Sequence, residues 1–214
     1  MVKFPAPAFR HVLWLGGSPC SGKSSISEIL AEMYRIQVYH VDDAFQQHIE
    51  DFNPIDYPVN FKWTHTAWQD LWMQSQEILL KEAIQCYTEH LQFVFADLLR
   101  MDRFVIAEGT SLLPAHIKPL LSHAYQALWV VPTEAFQREY YPKRGPFVQS
   151  ILSQCADPEK ALQTWMDRDV AFANWVRKQT FNLGLDCITV DGMKSIQENA
   201  QFISAFFQLD KISC

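Results

Sequence analysis

Short apolar runs alternate along this chain with longer stretches whose apolar positions recur at helical spacing. His11–Leu15 (HVLWL) predicts a strand that ends at Gly16 and Gly17. Ser24–Tyr34 follows with Ile26, Ile29, Leu30 and Met33 on one helical face, and Gln37–Val41 predicts a second strand closed by Asp42 and Asp43. Residues 44–62, with Pro54 and Pro58, predict a loop. No proline or glycine occurs from Val59 to Glu108. There Thr66 with Gln69 predicts a capping box, and Trp68, Leu71, Trp72, Leu79 and Ala83 a helix, with a bend expected at Thr88–His90.

Phe104–Ala107 (FVIA), Ala127–Val131 (ALWVV) and Cys187–Val190 (CITV) predict three more strands. Thr133 can cap a helix that must stop before Pro142, and Asp157-Pro158 starts another that Gly184 can end. Asp191-Gly192 predicts a turn, and Ser195 with Glu198 a capping box for the last helix. Five short strands alternating with helices imply an α/β fold whose parallel sheet is covered on both faces. Right-handed crossovers bring all strand C-termini to one edge, where ligands bind. The glycines and carboxylates noted above fall at those ends.

Length and composition narrow the reading. A chain of 214 residues with 49% hydrophobic and 20% charged residues can build one globular domain, expected to span 1–214. The formal net charge of −6 gives no bulk attraction to polyanions, so nucleic acid is not an expected partner. Cys20, Cys86, Cys155, Cys187 and Cys214 are dispersed and form no metal-ligand pattern, which predicts free thiols and a cytoplasmic setting. The N-terminal MVKFPAPAFRH lacks the apolar run of a signal peptide, and no stretch reaches the roughly 18 apolar residues of a membrane span.

Residues 17–24, Gly17-Ser18-Pro19-Cys20-Ser21-Gly22-Lys23-Ser24, fit the pattern G-x-x-x-x-G-K-[ST] between a strand and a helix. Glycines let backbone N–H groups curl toward phosphate oxygens, and the helix that follows aims its positive end at the same place. Gly17 to Ser25 are thus expected to cradle a nucleoside triphosphate, with Lys23 reaching the β- and γ-phosphates and the Ser24 hydroxyl able to ligate Mg²⁺. The nearby helix N-terminus is also expected to lower the Cys20 thiol pKa.

GGSPCSGKSS, VDDAF, FVIAEGT and a later arginine region together resemble the P-loop small-molecule kinases, such as uridine kinase, gluconate kinase, chloramphenicol phosphotransferase and the zeta-toxin kinases. The resemblance implies a three-layer P-loop NTPase fold with a five-stranded parallel sheet and a helical lid. It also implies ATP, Mg²⁺ and phosphoryl transfer to a hydroxyl of a small molecule or nucleoside. In such kinases a carboxylate after the second strand takes the acceptor's proton. Asp43 is the leading candidate for that base, Asp42 the alternative, and simple helix capping the structural reading of either. Glu108, with Ser24 and Asp42, is a candidate for holding Mg²⁺. Asp191-Gly192 lies where similar kinases pass the chain beside adenine.

A lid of about residues 134–168 would supply cations that close over the phosphates. Arg138 and Arg144 are the leading pair, and Arg168 is the next candidate for nucleotide binding. The segment of about 44–100 would cover the acceptor. It carries Tyr57, Phe61, Trp63, Trp68, Trp72, Tyr87, Phe93 and Phe95, which can stack on a ring, although Trp68 and Trp72 sit at core spacing. The competing readings are a nucleotide hydrolase that positions water with Glu108, and a non-catalytic nucleotide-binding module.

Overall fold

The computed structural model describes residues 6–212. Cys214 and the first five residues of the N-terminal stretch named above lie outside the described residues. Five parallel strands form one sheet: β1 (Val12–Gly17), β2 (Gln37–His40), β3 (Val105–Gly109), β4 (Ala127–Pro132) and β5 (Cys187–Val190), in the order β2-β3-β1-β4-β5. All five expected strands are present, each within two residues of its expected ends. Central β1 pairs with β3 and β4, aligning Leu15 with Glu108 and Gly16 with Gly109, while β2 aligns His40 with Glu108.

Alternate residues of β1, β3 and β4 enter two separate cores, as a period of two requires. Trp14, Ala107, Trp129 and Val131 pack with Leu91, Val94 and Leu98 of α5 (Gln76–Leu98) and Phe172 and Val176 of α9 (Pro158–Leu183). Leu13, Leu15, Ile106 and Val130 pack on the other face with Ile26 and Leu30 of α1 (Lys23–Tyr34) and Ile203 and Phe207 of α10 (Ile196–Phe207). Sheet and flanking helices make the three-layer P-loop fold. The short helices α6 (Pro114–Ile117) and α11 (Leu209–Ile212) complete the outer layers.

A third core stands off the sheet. Leu71 and Trp72 of α4 (Trp68–Trp72) and Leu79 of α5 meet Tyr141, and Val148 and Ile151 of α8 (Pro146–Leu152) meet Trp165 of α9. Before α8, α7 (Glu134–Tyr140) is capped by the Thr133 side chain, which accepts from the Phe136 N–H. The caps expected at Asp157 and Ser195 are also formed, and left-handed Gly184 ends α9.

Three local expectations fail. The stretch read as a loop after β2 holds α2 (Val41–His48) and α3 (Pro58–His65). Neither starts with a side-chain cap, and the remaining start signals are slight: Pro58 at the first turn of α3, and Asp42 and Asp43 in the first turn of α2. Thr66 and Gln69 form no capping box. Thr66 Oγ1 donates back to the Lys62 carbonyl, and Gln69 Oε1 accepts from Ala156 N across to the segment before α9. The bend expected at Thr88–His90 is absent, because α5 runs through it unbroken. Glu89 and His90 are polar for another reason: they are buried and bonded to other elements. Glu89 accepts from the backbone of Val59 and Asn60, and His90 bonds His48 and Ser111.

Candidate functional site

The loop between β1 and α1 is held by its own backbone. A side chain at Gly17 would overlap the Val130 carbonyl, to which Ser18 N donates at 3.3 Å, so only glycine lets the loop lie this close to β4. Cys20 and Gly22 both take left-handed conformations, with φ of 63° and 79°. Gly22 is the N-cap of α1, leaving the first N–H groups of that helix directed into the loop.

Lys23 is buried and folds across the loop. Its Nζ donates to the Ser18 carbonyl at 2.9 Å and to Ser21 Oγ at 3.3 Å. Burial lowers its pKa, and Glu108 and Asp42 oppose that shift, which brings the three groups into one electrostatic cluster. Ser24 and Ser25 lie exposed in the first turn of α1.

Glu108, at the end of β3, is buried and asymmetric. Its Oε1 pairs with His40 Nδ1 at 2.7 Å, while its Oε2 is buried with no hydrogen-bond partner. An orphan carboxylate oxygen beside Lys23 suits a hard cation. Among the described residues, no group of three or more His, Cys, Asp or Glu side chains can hold a metal by itself. A Mg²⁺ here would lean on one carboxylate, the Ser24 hydroxyl and phosphate oxygens, as Mg²⁺ commonly does.

Asp42 and Asp43 occupy the first turn of α2 and diverge. Asp42 lines a cavity of about 240 Å³ and accepts from Thr110 N at 3.2 Å and Thr110 Oγ1 at 3.4 Å. Both are exposed, but Asp43 lies outside that lining and has no hydrogen-bond partner among the described residues.

The three arginines separate in the same way. Arg138 is bound by two carboxylates, with Nε to Glu134 at 2.9 Å and Nη2 to Asp167 at 2.7 Å, and lines neither cavity beside the loop. Arg144 lies over the Tyr141 ring, 5.2 Å from its centroid, and donates to the Tyr141 hydroxyl at 3.3 Å. It faces two cavities. One of about 420 Å³ lies against Cys20, Gly22, Phe136, Gly192 and Ser195; the other is the cavity beside Asp42. Arg168, expected at the nucleotide, lines the Asp42 cavity and not the one along the loop, β5 and α10. Sequence reasoning missed its neighbour Asp169, which pairs with Arg168 Nε at 2.6 Å and accepts from Tyr141 O–H at 2.6 Å. The only sequence signal was an adjacent Arg-Asp pair inside a long helix.

Cys20 lines the larger cavity, but burial pushes its thiol up to about 11, against the expected lowering. Desolvation outweighs the helix end and the nearby cations Arg144 and Lys23. A cavity of about 500 Å³ near Arg10, Phe104 and His123 lies by the residues that precede β1 and β4, away from the loop and every charge described above.

No known protein family matches the sequence, and no curated protein matches it. Among solved structures, shikimate kinase from Aquifex aeolicus is similar with a TM-score of 0.39 and 19% identity, covering 94% of this chain and 98% of that one. Shikimate kinase from Acinetobacter baumannii in complex with shikimate gives 0.43 and 17%, covering 97% and 99%. An uncharacterized protein from Eubacterium ventriosum gives 0.43 and 11%, covering 92% and 97%. Likeness at this level carries no function across.

Proposed function

We propose that this chain is a kinase that moves the γ-phosphoryl group of ATP to a hydroxyl of a small molecule. One observation carries the reading: Arg144 faces both cavities, and consecutive loop residues divide between them, with Pro19 lining the smaller and Cys20 the larger. Two pockets that meet at a phosphate loop and a shared guanidinium suit a donor and an acceptor. A hydrolase needs no second, ring-lined pocket.

In this reading the base and terminal phosphates of ATP take the larger cavity and the loop. Lys23 exchanges the Ser18 carbonyl for phosphate oxygens, a swap the same ammonium can make without moving its stem far. Glu108 Oε2 and the Ser24 hydroxyl would hold Mg²⁺, which supplies charge neutralisation on the β- and γ-oxygens when bound. Asp42 replaces Asp43 as the proposed base. Its two bonds to Thr110 aim the carboxylate and leave lone pairs for the acceptor. The acceptor O–H proton passes to Asp42, the oxygen bonds to the γ-phosphorus, and the bond from that phosphorus to the bridging oxygen breaks, releasing ADP. Arg144 meets the charge on the transferring group.

The test is incubation with ATP, Mg²⁺ and a pool of hydroxyl compounds, with mass detection of any compound heavier by one phosphoryl group. The proposal expects a product that disappears in Lys23→Ala. ATP consumption at the same rate with and without the pool, and no phosphorylated compound, would point to the hydrolase instead.

A further inference from the structure

The cavity beside Asp42 is walled by indoles. Half-buried Trp63 and Trp68 and buried Trp72 and Trp165 all line it. Three of the rings are nearly parallel: Trp68 to Trp72 at 11° and Trp72 to Trp165 at 14°. Trp63 is fixed by its Nε1, which donates to Glu82 Oε2 at 3.0 Å. Rigid parallel rings favour a flat ligand, because stacking costs them no further ordering.

Among these rings sits a cation that is already matched. The Arg168 guanidinium lies 5.7 Å from the Trp63 centroid and 5.3 Å from that of Trp72, with Asp169 as its ion partner. Arg168 is buried, and neither its Nη1 nor its Nε makes a hydrogen bond, the contact of Nε with Asp169 Oδ1 being an ion pair by distance alone. The cavity lining therefore carries Arg144 and Arg168 against Asp42 and Asp169, two charges of each sign. With Arg144 committed to the transferring phosphoryl group and Arg168 paired with Asp169, an anionic ring substituent would lose its hydration here without meeting a free cation. A neutral oxygen or nitrogen acceptor, by contrast, satisfies an N–H that burial leaves costly. The volume of about 240 Å³ falls below the roughly 300–1,000 Å³ of drug-sized sites and favours a compact acceptor.

We infer that the phosphoryl acceptor is a compact, uncharged alcohol carrying one planar aromatic or heteroaromatic ring, stacked on Trp63 and Trp68, with a neutral carbonyl or ring heteroatom accepting from Arg168. The inference rests on the kinase reading of the same site.

The experiment uses a matched set of primary alcohols: an aryl alcohol bearing a ring carbonyl, its ring-saturated analogue, its carboxylate analogue, the aryl alcohol without the carbonyl, and a neutral sugar. Binding is read by quenching of tryptophan fluorescence without nucleotide, and transfer by product mass with ATP and Mg²⁺. The carbonyl-bearing aryl alcohol should bind at least about tenfold tighter than its saturated and carboxylate analogues. Trp63→Leu and Trp68→Leu should each weaken it about three- to tenfold, with circular dichroism confirming the fold. Arg168 is buried and its substitution can prevent folding, so that contact is read from the ligand: removing the carbonyl should cost about tenfold in the unaltered protein. Equal or better binding of the saturated ring, the carboxylate or the sugar, or no quenching by any aryl alcohol, overturns the inference. Aryl binding without transfer keeps ring recognition and removes the kinase reading. Transfer to the sugar without aryl binding does the reverse.

Discussion

Asp42 on α2 reaches across to Thr110, just past the end of β3, and accepts from both its N–H and its hydroxyl, at 3.2 and 3.4 Å. Two elements far apart in sequence thereby fix one carboxylate at the cavity wall, while the adjacent Asp43 stays outside it. Asp42→Asn should lower phosphoryl transfer by roughly 10²- to 10⁴-fold, the usual contribution of a positioned base. Nucleotide affinity should survive, since the loop carries it. Asp43→Asn should retain transfer. Turnover and ATP titration of both variants decide the matter, and the opposite ranking would return the base to Asp43.

Arg144 and Arg138 make a second contrasting pair. Arg144→Ala should cut kcat by about 10²-fold with a smaller effect on ATP binding, because its contact strengthens as charge develops on the transferring group. Arg138→Ala should leave kcat nearly intact. It should cost at most about 1 kcal/mol of stability, since its ion pairs with Glu134 and Asp167 are partly exposed. Steady-state kinetics that place Arg138 above Arg144 would reject this assignment of the cleft cation.

Cys20 should resist alkylation. An ordinary thiol near 9.0 is partly ionised at pH 8, whereas burial holds Cys20 near 11, so its thiolate population should be smaller by roughly 100-fold. Labelling followed by peptide mass should show slow modification at pH 8 that rises steeply toward pH 11. Bound ATP should slow it further, because Cys20 lines the larger cavity. Rapid labelling at pH 8 would mean the loop opens more than its hydrogen bonds imply.

His90 should make stability depend on acid. Burial, helped by His48, drives its pKa down to about 3 from an ordinary 6.5. Below pH 6.5 the unfolded chain binds a proton that the folded chain refuses. The stabilising difference is therefore complete above 6.5 and is lost as pH falls toward 3, at up to about 1.4 kcal/mol per pH unit. Urea midpoints of the native protein and His90→Gln between pH 4 and 8 measure this. The native slope should flatten in the variant, and parallel curves would exclude His90 as the cause.

Much of the fold was readable because it depends on short-range patterns. Each strand is an apolar run bounded by polar or glycine residues, and the caps at Thr133, Asp157 and Ser195 are local hydrogen bonds within three residues. The glycine-containing loop after β1 is equally local. What sequence could not supply were contacts between distant elements. Thr66 and Gln69 look like a capping box, but Gln69 answers to Ala156, 87 residues away. Glu89 and His90 look like a helix break, yet they are polar to meet α3, α2 and the turn after β3. The choice between Asp42 and Asp43 depends on Thr110, and that of Arg144 over Arg138 on Asp167 and Tyr141. No periodicity encodes these. Trp68 and Trp72 show the remaining ambiguity, since core spacing and cavity lining are both true of them.

The chain of bonds from Asp97 through His48 and His90 to Ser111 has a mechanical consequence. His48 joins Asp97 at 3.0 Å and His90 at 3.1 Å, and His90 joins Ser111 at 3.3 Å. Each link crosses between elements, so α2, α5 and the turn carrying Thr110 and Ser111 are braced as one frame. Asp42 belongs to that frame. The wall behind the acceptor behaves as an anvil: it holds its carboxylate in place before any ligand arrives and yields little when one does. The give in the cleft then belongs to the other wall. There Gly145, at φ 87° with open space around it, separates the Arg144 guanidinium from α8.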